Sequence, residues 1–189
     1  SQKTIINALV HQFGKNLSEH FEKVEGVNVP RPGLVHRLDK TTSGVLLVAK
    51  TKKTHTFFQK NWDQVEKFYV AVVCGIPPEK GRIEAGILRD VNNRQRMSVS
   101  KLERAKDATT FFERITISEQ KNLSLLRVKI PTGRTHQIRV HLSSIGFPIL
   151  GDVKYGGIEA ERVFLHAQEI SFPDPDKKKK RISVASKIP

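Results

Sequence analysis

The chain has 189 residues and a single cysteine, so it can bury a full core but cannot close an internal disulfide, which fits a reducing compartment and a cytoplasmic protein. Its longest apolar run, Tyr69 to Ile76, is far too short for a membrane helix. Lysine and arginine number 33 against 19 acidic residues, a net charge of +14 that points to a polyanionic partner, nucleic acid before anionic membrane.

Ile5, Ile6, Leu9, Val10 and Phe13 fall on one face of a helix that ends near Gly14. The pattern begins at once, without a lead-in, as though an upstream stretch were absent. The Gly/Pro-rich stretch Gly26 to Gly33 reads as a loop, and Gly44 to Ala49, short and rich in valine, as a buried strand. Thr54 to Val65 has helical character, with Phe57, Phe58, Trp62 and Val65 available to a core. Phe68 to Cys74 is a second strand, closed by Gly75-Ile-Pro-Pro78. Short strands are expected over Arg82–Leu88, Ala108–Ile117 and Leu123–Ile130. Thr135 to Ile145 is expected as a helix with Ile138, Leu142 and Ile145 in line, and Leu165 to Phe172 as a last strand. Strands outnumber helices and do not alternate with them regularly. The pattern predicts an α+β fold with a central mixed, largely antiparallel sheet and flanking helices, in one domain over residues 1–189.

The basic residues cluster. Arg89 to Lys106 holds six against two acids, and Arg127 to His141 holds Arg127, Lys129, Arg134 and Arg139 with no acid. The run Lys177 to Arg181 reads as a solvated loop that attracts phosphate without specificity. The seven histidines are scattered, and the closest pair, His136 and His141, lacks the i, i+4 spacing of a helical zinc site. No Gly-rich phosphate loop and no nucleophile elbow appears. The residues therefore predict neither metal nor cofactor.

One segment carries chemistry: His36-Arg37-Leu38-Asp39-Lys-Thr-Thr42-Ser43-Gly44, an acid inside a basic, hydroxyl-rich turn just ahead of an apolar run. Alone, Asp39 would be a turn or cap residue, Arg37 a solvated side chain and His36 a packed neutral ring. The string as a whole resembles the catalytic motif of the RluA family of RNA pseudouridine synthases. Four further stretches are similar to that family in the same order. They are Lys67-Phe-Tyr69-Val-Ala71-Val-Val-Cys-Gly75; Leu88 to Ser98 with Ala108-Thr-Thr-Phe111; Thr132-Gly-Arg134-Thr-His-Gln137-Ile-Arg139-Val-His141-Leu; and Gly146 to Gly156 with Leu165-His166-Ala167.

The resemblance implies an enzyme, an isomerase that breaks the N1–C1′ bond of a uridine, turns the base and rejoins it through C5, without metal or cofactor. It implies that Asp39 is the carboxylate that attacks C1′ or takes a proton from C2′, both routes standing open. A buried carboxylate needs a cation, and Arg134 is the matched partner, with Arg139 as fallback. Tyr69 would lie on the target base, Ile138 near the uracil edge, and Arg37 in the gap the flipped base leaves. Arg94, Arg96 and Arg139 would add RNA contacts. Large-subunit ribosomal RNA is the favoured substrate and tRNA the alternative, with the protein a monomer in the cytoplasm. A noncatalytic RNA-binding module is the rival from another class, and it has no use for an acid in its most basic turn.

Overall fold

The computed structural model describes residues 5–19, 21–24, 27–177 and 180–189, so the basic run at 177–181 lies partly outside the described residues. In chain order the elements are α1 (Ile5–Phe13), β1 (Phe21–Val24), β2 (Val27–Pro30), β3 (Ser43–Gly44), α2 (Lys52–Lys60), β4 (Glu66–Cys74), β5 (Lys80–Glu84), β6 (Gly86–Arg89), β7 (Met97–Ser100), β8 (Thr109–Ser118), β9 (Leu123–Lys129), α3 (Gln137–Ser144), β10 (Leu165–Pro173) and β11 (Arg181–Ala185). They form two compact units, one from residues 1–38, 46–64 and 173–181, the other from 39–45, 65–172 and 182–189.

In the first unit α1 follows its apolar spacing, and none of its residues is fully buried. The expected loop at 26–33 is in part a strand. β2 pairs antiparallel with β1, Phe21 opposite Pro30 and Val24 opposite Val27, because the alternating Val-Asn-Val outweighs the flanking glycine and proline. α2 starts two residues earlier than expected, where the Thr51 hydroxyl accepts the Thr54 amide. It stops at Asn61, whose side chain donates to the Phe57 carbonyl, and a 3-10 turn follows over Trp62–Gln64. Phe58 is the buried anchor of this helix, packed edge-on against Phe57 and Trp62.

The second unit is a seven-stranded sheet in the order β11-β10-β4-β9-β8-β5, with β3 added parallel to β10. The pairs β10–β4, β4–β9, β9–β8 and β8–β5 are antiparallel, so the sheet is mixed and largely antiparallel as expected. The expected strand at 44–49 is only two residues long within the sheet. Beyond Val45 the chain leaves β10, and in the first unit the Leu47 amide donates to Nε2 of His36 rather than to a ladder. The run expected as one strand over 82–88 is two. It breaks at Ala85, whose carbonyl accepts from His141, and β6 then pairs with β7 in a separate hairpin.

α3 positions the site. Six successive residues, Gln137 to Leu142, are buried, and three of them are polar. Each polar one is satisfied. Gln137 accepts from the Thr132 hydroxyl and the Arg134 amide and donates to the Thr109 carbonyl. Nε2 of His141 donates to the Ala85 carbonyl, so Nδ1 accepts from the Thr110 hydroxyl. Burial holds that imidazole below its ordinary pKa, in keeping with a neutral ring.

Candidate active site

Asp39 begins a turn closed by the Thr42 amide on its carbonyl, 2.9 Å. The turn is pinned two residues later. Gly44 sits opposite Ala167 of β10 at φ +116, and a Cβ there would stand 2.2 Å from the Ala167 carbonyl oxygen. Only glycine permits that approach. Ser43 ties the same point to β10, accepting from Nη1 of Arg162 and sharing a hydrogen bond of 2.9 Å with Nδ1 of His166.

The sheet register carries the position across. Gly44 opposes Ala167, Ala167 opposes Tyr69, and Tyr69 opposes Val128, so Tyr69 lies one strand beyond the residue that anchors the Asp39 turn. Its ring is buried, and its phenol pKa is pushed up to about 12, first by burial and then by the negative charge of Asp39. Tyr69 is therefore a neutral hydroxyl close to the carboxylate throughout the physiological range.

The charge of Asp39 is met by Arg139. Nη1 of Arg139 lies 3.7 Å from Oδ2 of Asp39, with side-chain exposures of 6% and 16%. The other edge of the guanidinium is committed to Asp152, Nε to Oδ2 at 2.7 Å and Nη2 to Oδ1 at 2.8 Å. One cation thus serves two carboxylates unequally. Asp152 takes the bidentate fork and is inaccessible, whereas Asp39 is held as an ion pair beyond hydrogen-bond length. The lone pairs of Asp39 stay open to a reacting group. Burial opposes the charge on Arg139, but the hydrogen bonds and charge of Asp152, with Asp39 behind them, keep the guanidinium above its ordinary pKa.

Tyr155 backs this arrangement. The Arg139 guanidinium stands 5.0 Å from its ring centroid and that of Arg96 5.3 Å. Its hydroxyl accepts the Met97 amide at 2.9 Å and lies 2.7 Å from Nδ1 of His136. Burial pushes the phenol up and holds the imidazole down, the latter against the attraction of Asp39. With both neutral, one proton is shared along the hydrogen bond between the Tyr155 hydroxyl and Nδ1 of His136.

The sequence-based set is thus redistributed. Asp39 and Tyr69 come together. Arg134 does not pair with Asp39: it is exposed, and its Nε donates to the Asp107 carbonyl at 3.0 Å. The reason is where α3 begins. Arg134 lies in the turn before the helix, its amide held by Gln137, whereas Arg139 is inside the helix and turned toward the core. Arg139 is consequently a buried partner of two carboxylates and not a surface RNA contact. Ile138 is buried beside it. Arg37 and Arg94 are exposed, while Arg96 is half-buried against Tyr155. Asp152, Tyr155 and His136 escaped the sequence reading as site residues. Their signal was membership of the family-similar stretches Thr132 to His141 and Gly146 to Gly156, which assigned them no role. Among the described residues no three His, Cys, Asp or Glu side chains gather into a metal site, and no helix is long and apolar enough to cross a membrane.

Residues 8–144 match the family model described as RNA pseudouridylate synthase. Among curated relatives, ribosomal large subunit pseudouridine synthase D of Zymomonas mobilis is 38% identical over 186 residues, covering 91% of this chain and 56% of the relative. The protein of that name from Borreliella burgdorferi is 43% identical over 178 residues, covering 89% and 52%. The chain thus spans about half the length of these relatives. Of solved structures, human RNA pseudouridylate synthase domain containing 1 superposes with a TM-score of 0.75 at 26% identity, covering 97% of this chain and 74% of that one. Human RNA pseudouridylate synthase domain containing 4 gives 0.69 at 25% identity, covering 87% and 74%.

Proposed function

The chain belongs to the RNA pseudouridylate synthase family, in its RluA branch, and from that premise we propose that it isomerises uridine to pseudouridine in RNA, with large-subunit ribosomal RNA as substrate. The observation that carries the reading is the unequal sharing of Arg139. Asp152 takes the bidentate edge of the guanidinium, and Asp39 is left partly exposed, ion-paired with Arg139 but without a hydrogen bond from it.

Asp39 presents an oxygen to the ribose of a uridine flipped out of its stack. Attack at C1′ and proton removal at C2′ both begin from that anionic oxygen. The N1–C1′ bond breaks, the base turns, and a C5–C1′ bond forms. The proton on C5 is lost and N1 gains one, so the atoms balance as an isomerisation. Arg139 keeps the negative charge in place through the sequence, and the neutral Tyr69 hydroxyl beside it contacts the base and relays the C5 proton. The ribosomal substrate follows the names of the relatives, and the net charge of +14 supplies attraction to any RNA.

The test is release of tritium from RNA labelled at C5 of uridine, in the wild type and in Asp39→Asn. Release by the wild type and its disappearance in the variant is the expected result. Undiminished release by Asp39→Asn would remove Asp39 from the chemistry.

A further inference from the structure

An open cleft of ≈ 390 Å³ lies between the β6–β7 hairpin, the loop after β7 and the turn ahead of α3, and Arg89, Arg104, Lys106 and Arg134 line it. We propose that this cleft grips a phosphodiester of the RNA backbone close to the target uridine, with Arg134 as its central ligand. The inference rests on the RNA substrate proposed above.

Three observations support it. The first is uncompensated charge. No aspartate or glutamate lines the cleft, and among the described residues none of its four cations enters an ion pair. Basic residues of the seven-stranded sheet are treated differently. Lys80, Arg82, Arg127 and Lys129 each have a glutamate partner. A concentration of cations in a concave site, left open where neighbouring cations are neutralised, is suited to an anion supplied from outside.

The second is pre-organisation. Ile87 and Lys106 exchange two backbone hydrogen bonds of 2.9 Å, which fixes the loop after β7 against β6. The Arg134 amide is held by Gln137 and its Nε by the Asp107 carbonyl, which leaves both terminal nitrogens of the guanidinium for two oxygens of one phosphate. Arg89 is anchored in the same manner, with Nη1 on the Arg94 carbonyl.

The third is position. Arg134 precedes His136 by two residues, a span of at most about 7 Å of extended chain. The His136 ring bonds to Tyr155 and feels the charge of Asp39. A phosphate gripped by Arg134 therefore belongs to a nucleotide near the reacting one. Arg134 is a positioning residue here: it holds the strand while Asp39 works on the sugar.

The experiment measures binding of a fluorescein-labelled, uridine-containing single-stranded RNA by anisotropy across a salt series, with Lys80→Ala as the control cation outside the cleft. Arg134→Ala is expected to weaken binding about tenfold or more and to flatten the slope of log K against log salt by about 0.7, the loss of one phosphate. Arg134→Lys should restore the slope but only part of the affinity, because lysine lacks the planar fork. In turnover with the same variants the loss should fall more heavily on KM than on kcat. If Arg134→Ala moves affinity and slope no further than Lys80→Ala, the cleft is not a phosphate site. If millimolar inorganic phosphate at constant ionic strength erases the Arg134 effect, the cleft takes a free anion and the proposal fails. Arg134-dependent binding by a wild type that releases no tritium would instead leave the cleft standing and remove the isomerase reading.

Discussion

Replacing Arg139 with methionine separates two duties that the geometry gives to one side chain. Arg139→Met leaves Asp152, 1% exposed, without either of the hydrogen bonds it receives at 2.7 and 2.8 Å. Breaking a buried pair from one side costs about 3–5 kcal/mol, which for a chain of this size lowers Tm by roughly 6–20 °C. Arg139→Met combined with Asp152→Asn removes both charges and keeps the shape, so most of the lost stability should return. Turnover should not return, because Asp39 still lacks its cation. A loss of about a hundredfold, near 2.7 kcal/mol of barrier, is expected in the single and the double variant alike. Thermal melts and tritium release, read on the same preparations, give the comparison. Wild-type turnover in the stabilised double variant would refute the reasoning, since Arg139 would then be a structural cation that merely lies near Asp39.

Asp39→Asn keeps the side-chain size and removes a charge whose ion pair is 3.7 Å long. Its melting point should stay within a few degrees of the wild type while turnover falls at least about a hundredfold; a collapsed melt would assign Asp39 to the scaffold. Tyr69 binds its proton more tightly folded, near 12, than unfolded, near 10, so its contribution is complete below pH 10 and is lost as pH rises toward 12. Denaturant melts of the wild type should therefore lose on the order of 2 kcal/mol more across that window than those of Tyr69→Phe, and parallel curves would contradict it. Tyr155→Phe deprives the Met97 amide of its acceptor. It should cost about 1–2 kcal/mol and speed hydrogen exchange at Met97, and unchanged protection there would show that the hydroxyl does not hold the hairpin.

The strands around the core could be read from the chain because their order is apolar and local. β4 and β9 each run seven residues or more, β9 with its buried positions on one face and β4 buried on both at its centre, and their bounds are close to those expected. α3 was legible as a helix but not as to its inward face. Apolar spacing pointed to Ile138, Leu142 and Ile145, yet Ile145 is 39% exposed while Arg139 and His141 are buried. The partners that make such burial tolerable lie far along the chain, Asp152 for Arg139, Thr110 and Ala85 for His141, and no local pattern announces them. For the same reason the choice between Arg134 and Arg139 was beyond the sequence. Both sit in one basic string, and only the start of α3 decides which side chain enters the core. The break at Ala85 was equally hidden, since the histidine that takes up its carbonyl lies 56 residues away.

Solvent touches Gly44, and a residue that water reaches is ordinarily the most freely replaced kind in a protein. Here accessibility and tolerance part company. The open side of Gly44 faces solvent while the direction a Cβ would take runs into the Ala167 backbone, which has no rotamer to yield. No second amino acid can stand there without displacing β10 or the turn, and the turn carries Asp39. Variation in this lineage can therefore accumulate all around position 44 and still have to respect it, so that one of the least substitutable points in the catalytic frame is an uncharged residue with no side chain, lying in plain view on the surface.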